Sequence, residues 1–104
     1  RAISIEPTSD LYSLRASVNL RLGYSQAGLE DYDKAIELNP NTALLYNNRG
    51  VYYLDRQNFE KALADLEKAV QMDPKFVLAY KNLLVLYQKT GQQEKAKNVE
   101  IKIK

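Results

Sequence analysis

The chain of 104 residues contains no cysteine, no histidine and no tryptophan. Without cysteine it cannot form a disulfide, a thiolate nucleophile or a thiolate metal site. Without histidine it lacks the commonest general base and the commonest metal ligand. It also has no apolar run of about 18 residues or more, so the sequence predicts no membrane span. These absences remove several common routes to catalysis and to metal binding.

The chain also lacks a strong excess of charge of either sign. Lys and Arg number 15, and Asp and Glu number 13, which leaves a formal charge of +2. This is too little to suggest nucleic-acid binding through neutralised phosphates. The acidic side chains in residues 30–37 do not form a calcium-binding loop pattern, so a solvated helix face is the simpler interpretation. We expect no nucleic-acid partner, no cofactor and no metal site.

The chain does contain a short sequence segment that recurs in similar form. The segment AIELNP at 35–40 returns as AVQMDP at 69–74 and stands once before as AISIEP at 2–7. A shift of 34 residues aligns the second copy with the third, and it also aligns Tyr12, Tyr46 and Tyr80. Self-similarity at such a period is typical of proteins built from stacked structural repeats.

Each repeat reads as two helices joined by a short turn. In the central repeat the candidate helices are Ala43–Asp55 and Phe59–Gln71. Thr42 and Asn58 precede them, and each has a side-chain oxygen that can accept a hydrogen bond from an unpaired backbone N–H at the start of a helix. We therefore predict that Thr42 caps the first helix and Asn58 the second.

Glycine and proline mark the ends of these segments. Gly23 and Gly91 stand in the turns of the other two repeats, where a positive φ is expected and costs glycine little. Pro40 and Pro74 separate successive repeats, because proline cannot donate the backbone bond that would continue a helix. No stretch alternates as a strand does, so the sequence predicts an all-α fold.

The repeat resembles the tetratricopeptide repeat, a helix–turn–helix of this period. The residues of the central repeat that carry the resemblance are Tyr46, Gly50, Tyr53, Ala62, Leu66 and Pro74. The first repeat departs from the pattern at Asn19 and Gly28, and the third at Leu84 and Glu100. The resemblance implies a right-handed superhelix, an α-solenoid of antiparallel helix pairs.

The resemblance also implies a domain organisation. We expect a single array in residues 1–104, with 1–7 as the tail of a preceding repeat, 9–42 as repeat 1, 43–76 as repeat 2 and 77–104 as an incomplete repeat 3. The chain would then begin partway through a repeat and share its function with residues beyond it. Isoleucines at the two ends are expected to be partly exposed: Ile3, Ile5, Ile101 and Ile103.

One pair of positions changes in concert between the repeats. An arginine stands on the first helix where the pattern has leucine, and an acid follows sixteen residues later, in repeats 1 and 2. Repeat 3 has apolar residues at both places. These positions are Arg15 with Asp31, Arg49 with Asp65, and Leu83 with Val99. The covariation predicts two intramolecular ion pairs and one apolar contact, and the alternative is that the arginines bind a ligand.

The first helix of repeat 2 is apolar nearly all round, so it needs two packing partners, and the second helix supplies only one. In the family the first helices line a concave groove that binds peptides or helices. The matching groove residues are Ser13, Ser17, Leu20, Arg21, Leu44, Asn47, Val51, Leu54, Leu78, Lys81, Val85 and Gln88. Alternatively, these side chains pack against adjacent repeats or against a helix of the parent protein.

Some family members grip the C-terminal carboxylate of chaperone tails with a clamp of Lys, Asn and Arg. The corresponding positions hold Ser13, Ser17, Asn48, Leu78 and Asn82, of which only Asn48 fits, so we do not expect binding by that clamp.

The sequence thus predicts a non-catalytic scaffold whose partner is a protein or a peptide. Self-association through exposed repeat ends is also allowed. The alternative function is that of an accessory or regulatory array in a larger enzyme or in a peptide-sensing protein. The sequence does not assign a compartment.

Overall fold

A computed structural model describes residues 8–103, which contain six helices and no strand. The helices are α1 (Ser9–Arg21), α2 (Ser25–Leu38), α3 (Ala43–Asp55), α4 (Phe59–Met72), α5 (Val77–Lys89) and α6 (Gln93–Ile103). The prediction of an all-α fold is therefore confirmed. None of these helices is long and apolar enough to cross a membrane. The predicted tail at 1–7, with Ile3 and Ile5, lies outside the described residues.

The two predicted caps have different outcomes. Asn58 caps α4 as predicted, because its Oδ1 accepts a hydrogen bond from the backbone N–H of Lys61 at 3.4 Å. The predicted cap at Thr42 is wrong, since its side chain makes no capping bond to α3. Thr8 does cap α1 through Leu11, with ψ at 169°, whereas ψ is 108° at Thr42.

The three turns within the helix pairs, α1–α2, α3–α4 and α5–α6, share a residue with positive φ. Gly23 and Gly91 have φ values of 90° and 73°, which confirms the prediction of positive φ. The equivalent residue of the central repeat is Gln57, which also has a positive φ, 61°. In each turn the residue just before the second helix donates its backbone N–H to the carbonyl oxygen of the residue five positions earlier. In the central repeat this hydrogen bond joins Asn58 to Tyr53 at 2.9 Å. Only Gln57 holds this conformation with a side chain, which strains it.

The chain divides into two compact units, one ending at Asn41 and the other beginning at Thr42. In the first unit α1 packs on α2, and Ala16 and Ala35 are completely buried between them. In the second unit α3 packs on α4, α4 on α5, and α5 on α6. These helices share one apolar core, in which Leu66 and Leu86 are the largest completely buried apolar side chains.

Small residues let the helices of each pair approach closely. Ala62 and Ala69 of α4 are completely buried. A Cβ atom added to Gly50 would lie 2.9 Å from Cγ of Leu66 and 3.3 Å from Cβ of Asp65. Protein cores are packed without free space of that size. Small residues therefore mark the close contacts between the helices of each pair.

Candidate functional site

The first helices α3 and α5 contact each other in the second unit through a buried polar bond. Asn82 Nδ2 donates a hydrogen bond to Asn47 Oδ1 at 2.9 Å. Asn47 is completely buried, so this bond satisfies an amide that would otherwise lose its contact with water without compensation. Since a buried polar group must keep its partner, the bond holds α3 and α5 in one register.

Apolar side chains surround this asparagine pair on the surface. On α3 they stand three residues before and four after Asn47, and on α5 four residues before and three after Asn82. They therefore share the helix faces that carry the asparagines. Three of them are between 38% and 50% exposed and the fourth, Val51, is half-buried. We call this set the α3–α5 face, and its members are Leu44, Val51, Leu78 and Val85.

Two further predicted groove residues of α5 are exposed beside this face. Lys81 lies between Leu78 and Val85 in the sequence, and Gln88 lies one turn after them. Lys81 thus stands beside apolar residues of the same helix.

Two other residues expected in the groove have a different environment. Asn47 was expected to be a polar handle for a partner, but its amide is buried and accepts the bond from Asn82. Leu54 is buried in the apolar core of the second unit. Both face inward because α4 and α5 cover the side of α3 on which they stand. The expectation that these two side chains are open to a ligand is therefore corrected.

The four candidate residues of the first unit form a separate group. Arg21 is exposed, and Ser13, Ser17 and Leu20 are half-buried. The Ser17 and Tyr32 hydroxyls lie 3.4 Å apart. The Leu20 side chain fills the space beside Gly28, where an added Cβ would come within 2.7 Å of it. Ser17 and Leu20 thus contact the second helix of their own pair, and the glycine in place of the family's alanine makes room for Leu20.

The second unit contains the ion pair predicted by covariation. Arg49 Nε donates to Asp65 Oδ2 at 2.8 Å, and Arg49 Nη2 donates to Asp65 Oδ1 at 2.8 Å. The arginine side chain is 22% exposed and the carboxylate is buried. Such a two-bond arrangement is the strongest form of an arginine–carboxylate contact. Because Asp65 occupies the guanidinium, the geometry favours a structural role for Arg49 over ligand binding.

The first unit contains the other predicted pair in a looser form. Arg15 Nη2 lies 3.6 Å from Asp31 Oδ1, and the arginine side chain is 54% exposed. Asp31 also accepts a hydrogen bond from Asn19 Nδ2 at 2.9 Å. Asn19 stands where repeat 2 has Tyr53, and its bond to Asp31 was not predicted from the sequence. The signal was present, since an amide on α1 near a buried acid on α2 is a natural donor to it.

Both arginines also lie over a tyrosine one turn earlier. The guanidinium carbons of Arg15 and Arg49 are 5.4 and 5.8 Å from the ring centres of Tyr12 and Tyr46. This is the distance of a cation–π contact. The tyrosine thus positions the arginine from its own helix, while the acid binds it from the other helix of the pair.

The described residues offer little for acid–base chemistry. Burial raises the pKa of Tyr87 above its ordinary value, and the negative charge of Glu67 raises it further. Tyr87 therefore stays protonated at neutral pH. Among residues 8–103, no three acidic side chains come together as a metal-binding group.

Family models of the tetratricopeptide repeat match residues 9–42, 43–76 and 66–98. The first two matches have the bounds predicted for repeats 1 and 2, and the third extends across the predicted start of repeat 3. Human tetratricopeptide repeat protein 6 is 33% identical to the chain over 61 residues. Those residues are 59% of this chain, which spans only 12% of that relative's length.

Solved structures share the fold over most of the chain. The crystal structure of MamA matches with a TM-score of 0.87 and 26% identity, over 93% of this chain and 57% of that one. The second TPR domain of Spaghetti (RPAP3), bound to the HSP90 peptide SRMEEVD, matches with a TM-score of 0.85 and 23% identity, over 92% and 89% of the two chains.

The TPR2B domain of yeast Sti1, in complex with pHsp70, matches with a TM-score of 0.86 and 22% identity, over 91% and 76% of the two chains. At the identities of the Spaghetti and Sti1 domains, the likeness shows the fold alone. The repeat period, the helix pairs and the family models agree. The chain belongs to the tetratricopeptide repeat family and has the fold of its all-α solenoids.

Proposed function

We propose that this chain is a non-catalytic scaffold that binds a peptide or a helix of a partner protein on the α3–α5 face. The observation that carries the proposal is the exposure of Leu44, Leu78 and Val85 around a buried asparagine pair. Apolar side chains grouped at the surface and rimmed by polar ones are typical of protein interaction sites.

The α3–α5 face is also supported from below. The Asn47–Asn82 bond joins its two helices, and the core beneath includes Leu54 and Leu86. A surface that is already ordered costs less entropy on binding than one that must be ordered by its partner. The face is therefore suited to a segment that brings its own apolar side chains, either as an amphipathic helix or as an extended strand of peptide.

The comparisons support a protein partner as the ligand class. The Spaghetti and Sti1 domains were solved with an HSP90 peptide and with pHsp70, and they share this fold. We do not extend their chaperone ligands to this chain, because only Asn48 matches the carboxylate clamp. Of the other clamp positions, Asn82 is bonded to Asn47 and Leu78 carries no polar group.

A peptide display library tests the proposal over many candidate ligands at once. Peptides enriched on the 104-residue chain are measured against Val85→Glu and against Ile101→Glu, which changes an exposed apolar residue on α6. We expect Val85→Glu to weaken binding about tenfold or more, because it places a charge in an apolar contact. Ile101→Glu should bind as the original chain does, and both variants should keep their helical circular dichroism.

Two results would contradict the proposal. One is that the library yields no peptide that binds this chain more tightly than it binds an unrelated helical protein. The other is a set of peptides whose affinity for Val85→Glu equals that for the original chain.

A further inference from the structure

Helix α1 and the turn after it carry a row of apolar side chains that remain exposed. They stand at one, four, eight and twelve in the count from the first of them, which places three on one face of α1 and the fourth in line with them at its C-cap, and a tyrosine follows two residues later. Each is between 41% and 63% exposed. We call this row the α1 stripe, and its members are Leu11, Leu14, Val18, Leu22 and Tyr24.

Three members of the α1 stripe differ in kind from their counterparts in the other repeats. Repeats 2 and 3 have polar residues at all three places. The counterparts are Asn48 and Asn82 for Leu14, Arg56 and Thr90 for Leu22, and Asn58 and Gln92 for Tyr24. The repeat architecture therefore does not require apolar residues there. The apolar character is particular to the first helix pair.

Tyr24 leaves the start of α2 without a capping hydrogen bond, and its ring, which is exposed, does not offset that loss. It stands at the N-cap of α2 and makes no side-chain capping bond, whereas Asn58 at the same place in repeat 2 caps α4. Asparagine at this place satisfies an unpaired backbone N–H, and tyrosine does not. A site where a local rule is given up without a gain in folding is a candidate for function.

Packing of an ordinary repeat against α1 would cover only part of the α1 stripe. The counterparts of Leu11 and Val18 on α5 are Ala79 and Leu86, and both are buried in the second unit. The counterpart of Leu22 in repeat 3 is Thr90, which stays exposed although α5 packs on α4, while Gln92, the counterpart of Tyr24, is half-buried. The apolar surface at Leu22 therefore points to an occupant other than a stacked repeat.

Charges beside the α1 stripe indicate which occupant fits. Asp10 stands one residue before Leu11, and Arg21 stands one residue before Leu22. Eleven residues are about three helical turns, so the two charges lie on the same edge of the stripe. Both are exposed, and neither forms an ion pair with another residue of the described range 8–103.

We propose that a second copy of this chain covers the α1 stripe, with the two α1 helices antiparallel. A two-fold axis at the middle of the stripe brings Leu11 of each copy against Leu22 of the other. The same operation brings Asp10 of each copy near Arg21 of the other, so the contact is self-complementary in shape and in charge. One helix face is a small interface, so the dimer is weak and depends on concentration.

Sedimentation velocity over a wide range of concentrations tests the apolar part of the contact. The 104-residue chain should shift from monomer to dimer as concentration rises. Leu14→Glu should weaken the association about tenfold or more, because it places a charge at the centre of the interface. Leu38→Glu changes an exposed leucine on α2 outside the stripe and should associate as the original chain does.

An exchange of charges tests the antiparallel arrangement. Asp10→Arg and Arg21→Asp each put like charges opposite one another at both ends, so each variant alone should associate more weakly, by about tenfold. In an equimolar mixture of the two variants every pair is again of opposite sign. The mixture should therefore form a heterodimer about as strong as the original dimer, which a general loss of α1 stability would not produce.

The proposal is overturned by any of three results. The chain could stay monomeric at every concentration. The mixture of charge variants could associate no better than either variant alone. A synthetic peptide with the sequence of α4 could bind the monomeric chain in a manner abolished by Leu14→Glu, which would assign the stripe to a helix of the repeat type.

Discussion

The helix pairs α1–α2 and α3–α4 both have an arginine on the first helix and an aspartate on the second, at equivalent positions. The two side chains interact differently in the two pairs. Arg49 makes two bonds of 2.8 Å to Asp65, whereas Arg15 approaches Asp31 only to 3.6 Å. The difference lies in a third residue, since Asn19 donates to Asp31 in the first pair. Positions that change together between repeats thus indicate that two residues are in contact. The neighbouring residues determine the geometry of that contact.

In the pair α5–α6 the equivalent positions hold uncharged residues. Leu83 and Val99 occupy the two places and are buried in the core of the second unit. An apolar contact involves no loss of hydration by charged groups, whereas a buried ion pair recovers that loss only with good geometry. The three pairs therefore form a series from a loose ion pair through a tight one to an apolar contact.

The largest expected effect comes from removing the acid of the tight pair. Asp65→Ala leaves the guanidinium of Arg49 mostly buried without its carboxylate, which should lower the free energy of unfolding by about 3 kcal/mol. Urea unfolding followed by circular dichroism measures it. Replacing both residues, with Arg49→Leu and Asp65→Val as in α5–α6, should recover most of the loss. A double variant as unstable as Asp65→Ala would contradict the structural role of the pair.

A smaller effect is expected from adding a methyl group at the close contacts. In Gly50→Ala the new Cβ meets Leu66, which is completely buried and has no space to move into. Overpacking of this kind should cost about 2 kcal/mol of unfolding free energy. In Gly28→Ala the new Cβ meets Cδ2 and Cγ of Leu20 and lies 3.2 Å from the backbone oxygen of Ala16. Because Leu20 is half-buried and Leu66 is completely buried, Leu20 has more room to yield. The cost of Gly28→Ala in urea unfolding should therefore be the smaller of the two, and the reverse order would refute this explanation.

The loose pair should contribute little to stability. A double-mutant cycle with Arg15→Ala and Asp31→Ala should give a coupling energy of at most about 1 kcal/mol, because the arginine is largely exposed to solvent. The matching cycle on Arg49 and Asp65 should give a clearly larger value. Added salt should reduce the first coupling more than the second. Equal coupling energies in the two cycles would show that the 3.6 Å separation does not matter.

The smallest effect should be a gain in stability at a turn. Gln57 holds a φ of 61° where the other two turns have glycine. Gln57→Gly relieves the strain of a left-handed residue but raises the entropy of the unfolded chain, so we expect a net gain of about 0.5 kcal/mol. Thermal unfolding measures it, with Gln92→Gly as a control just beyond the turn of repeat 3. A lower melting temperature for Gln57→Gly would mean that the glutamine side chain has a stabilising contact.

Much of the fold was predictable from the sequence because each repeat shows a similar pattern of residues. Pro40 and Pro74 end the helical segments, and the glycines of the turns have the positive φ that a tight connection requires. The pairing of Arg49 with Asp65 was also predictable, since the two positions change together with Leu83 and Val99. Thr42 was misjudged because residue type shows only that a side chain can cap a helix, whereas the bond itself depends on local geometry, and none forms at α3.

The candidate site was predictable only in part. The family pattern predicted a groove along the first helices, and three of its residues, Leu44, Leu78 and Val85, are exposed. It did not indicate that Asn47 is buried against Asn82 or that Leu54 lies in the core.

The sequence by itself determined the repeat, the helices and the partners of the charged pairs, because these follow from local backbone preferences and from spacing along a helix. Only the tertiary structure decided which apolar side chains are buried and which remain exposed. Leu86 and Val18 occupy equivalent places in their repeats, yet one is buried and the other is exposed. A helix fixes which of its residues share a face, but only a neighbouring helix can cover that face.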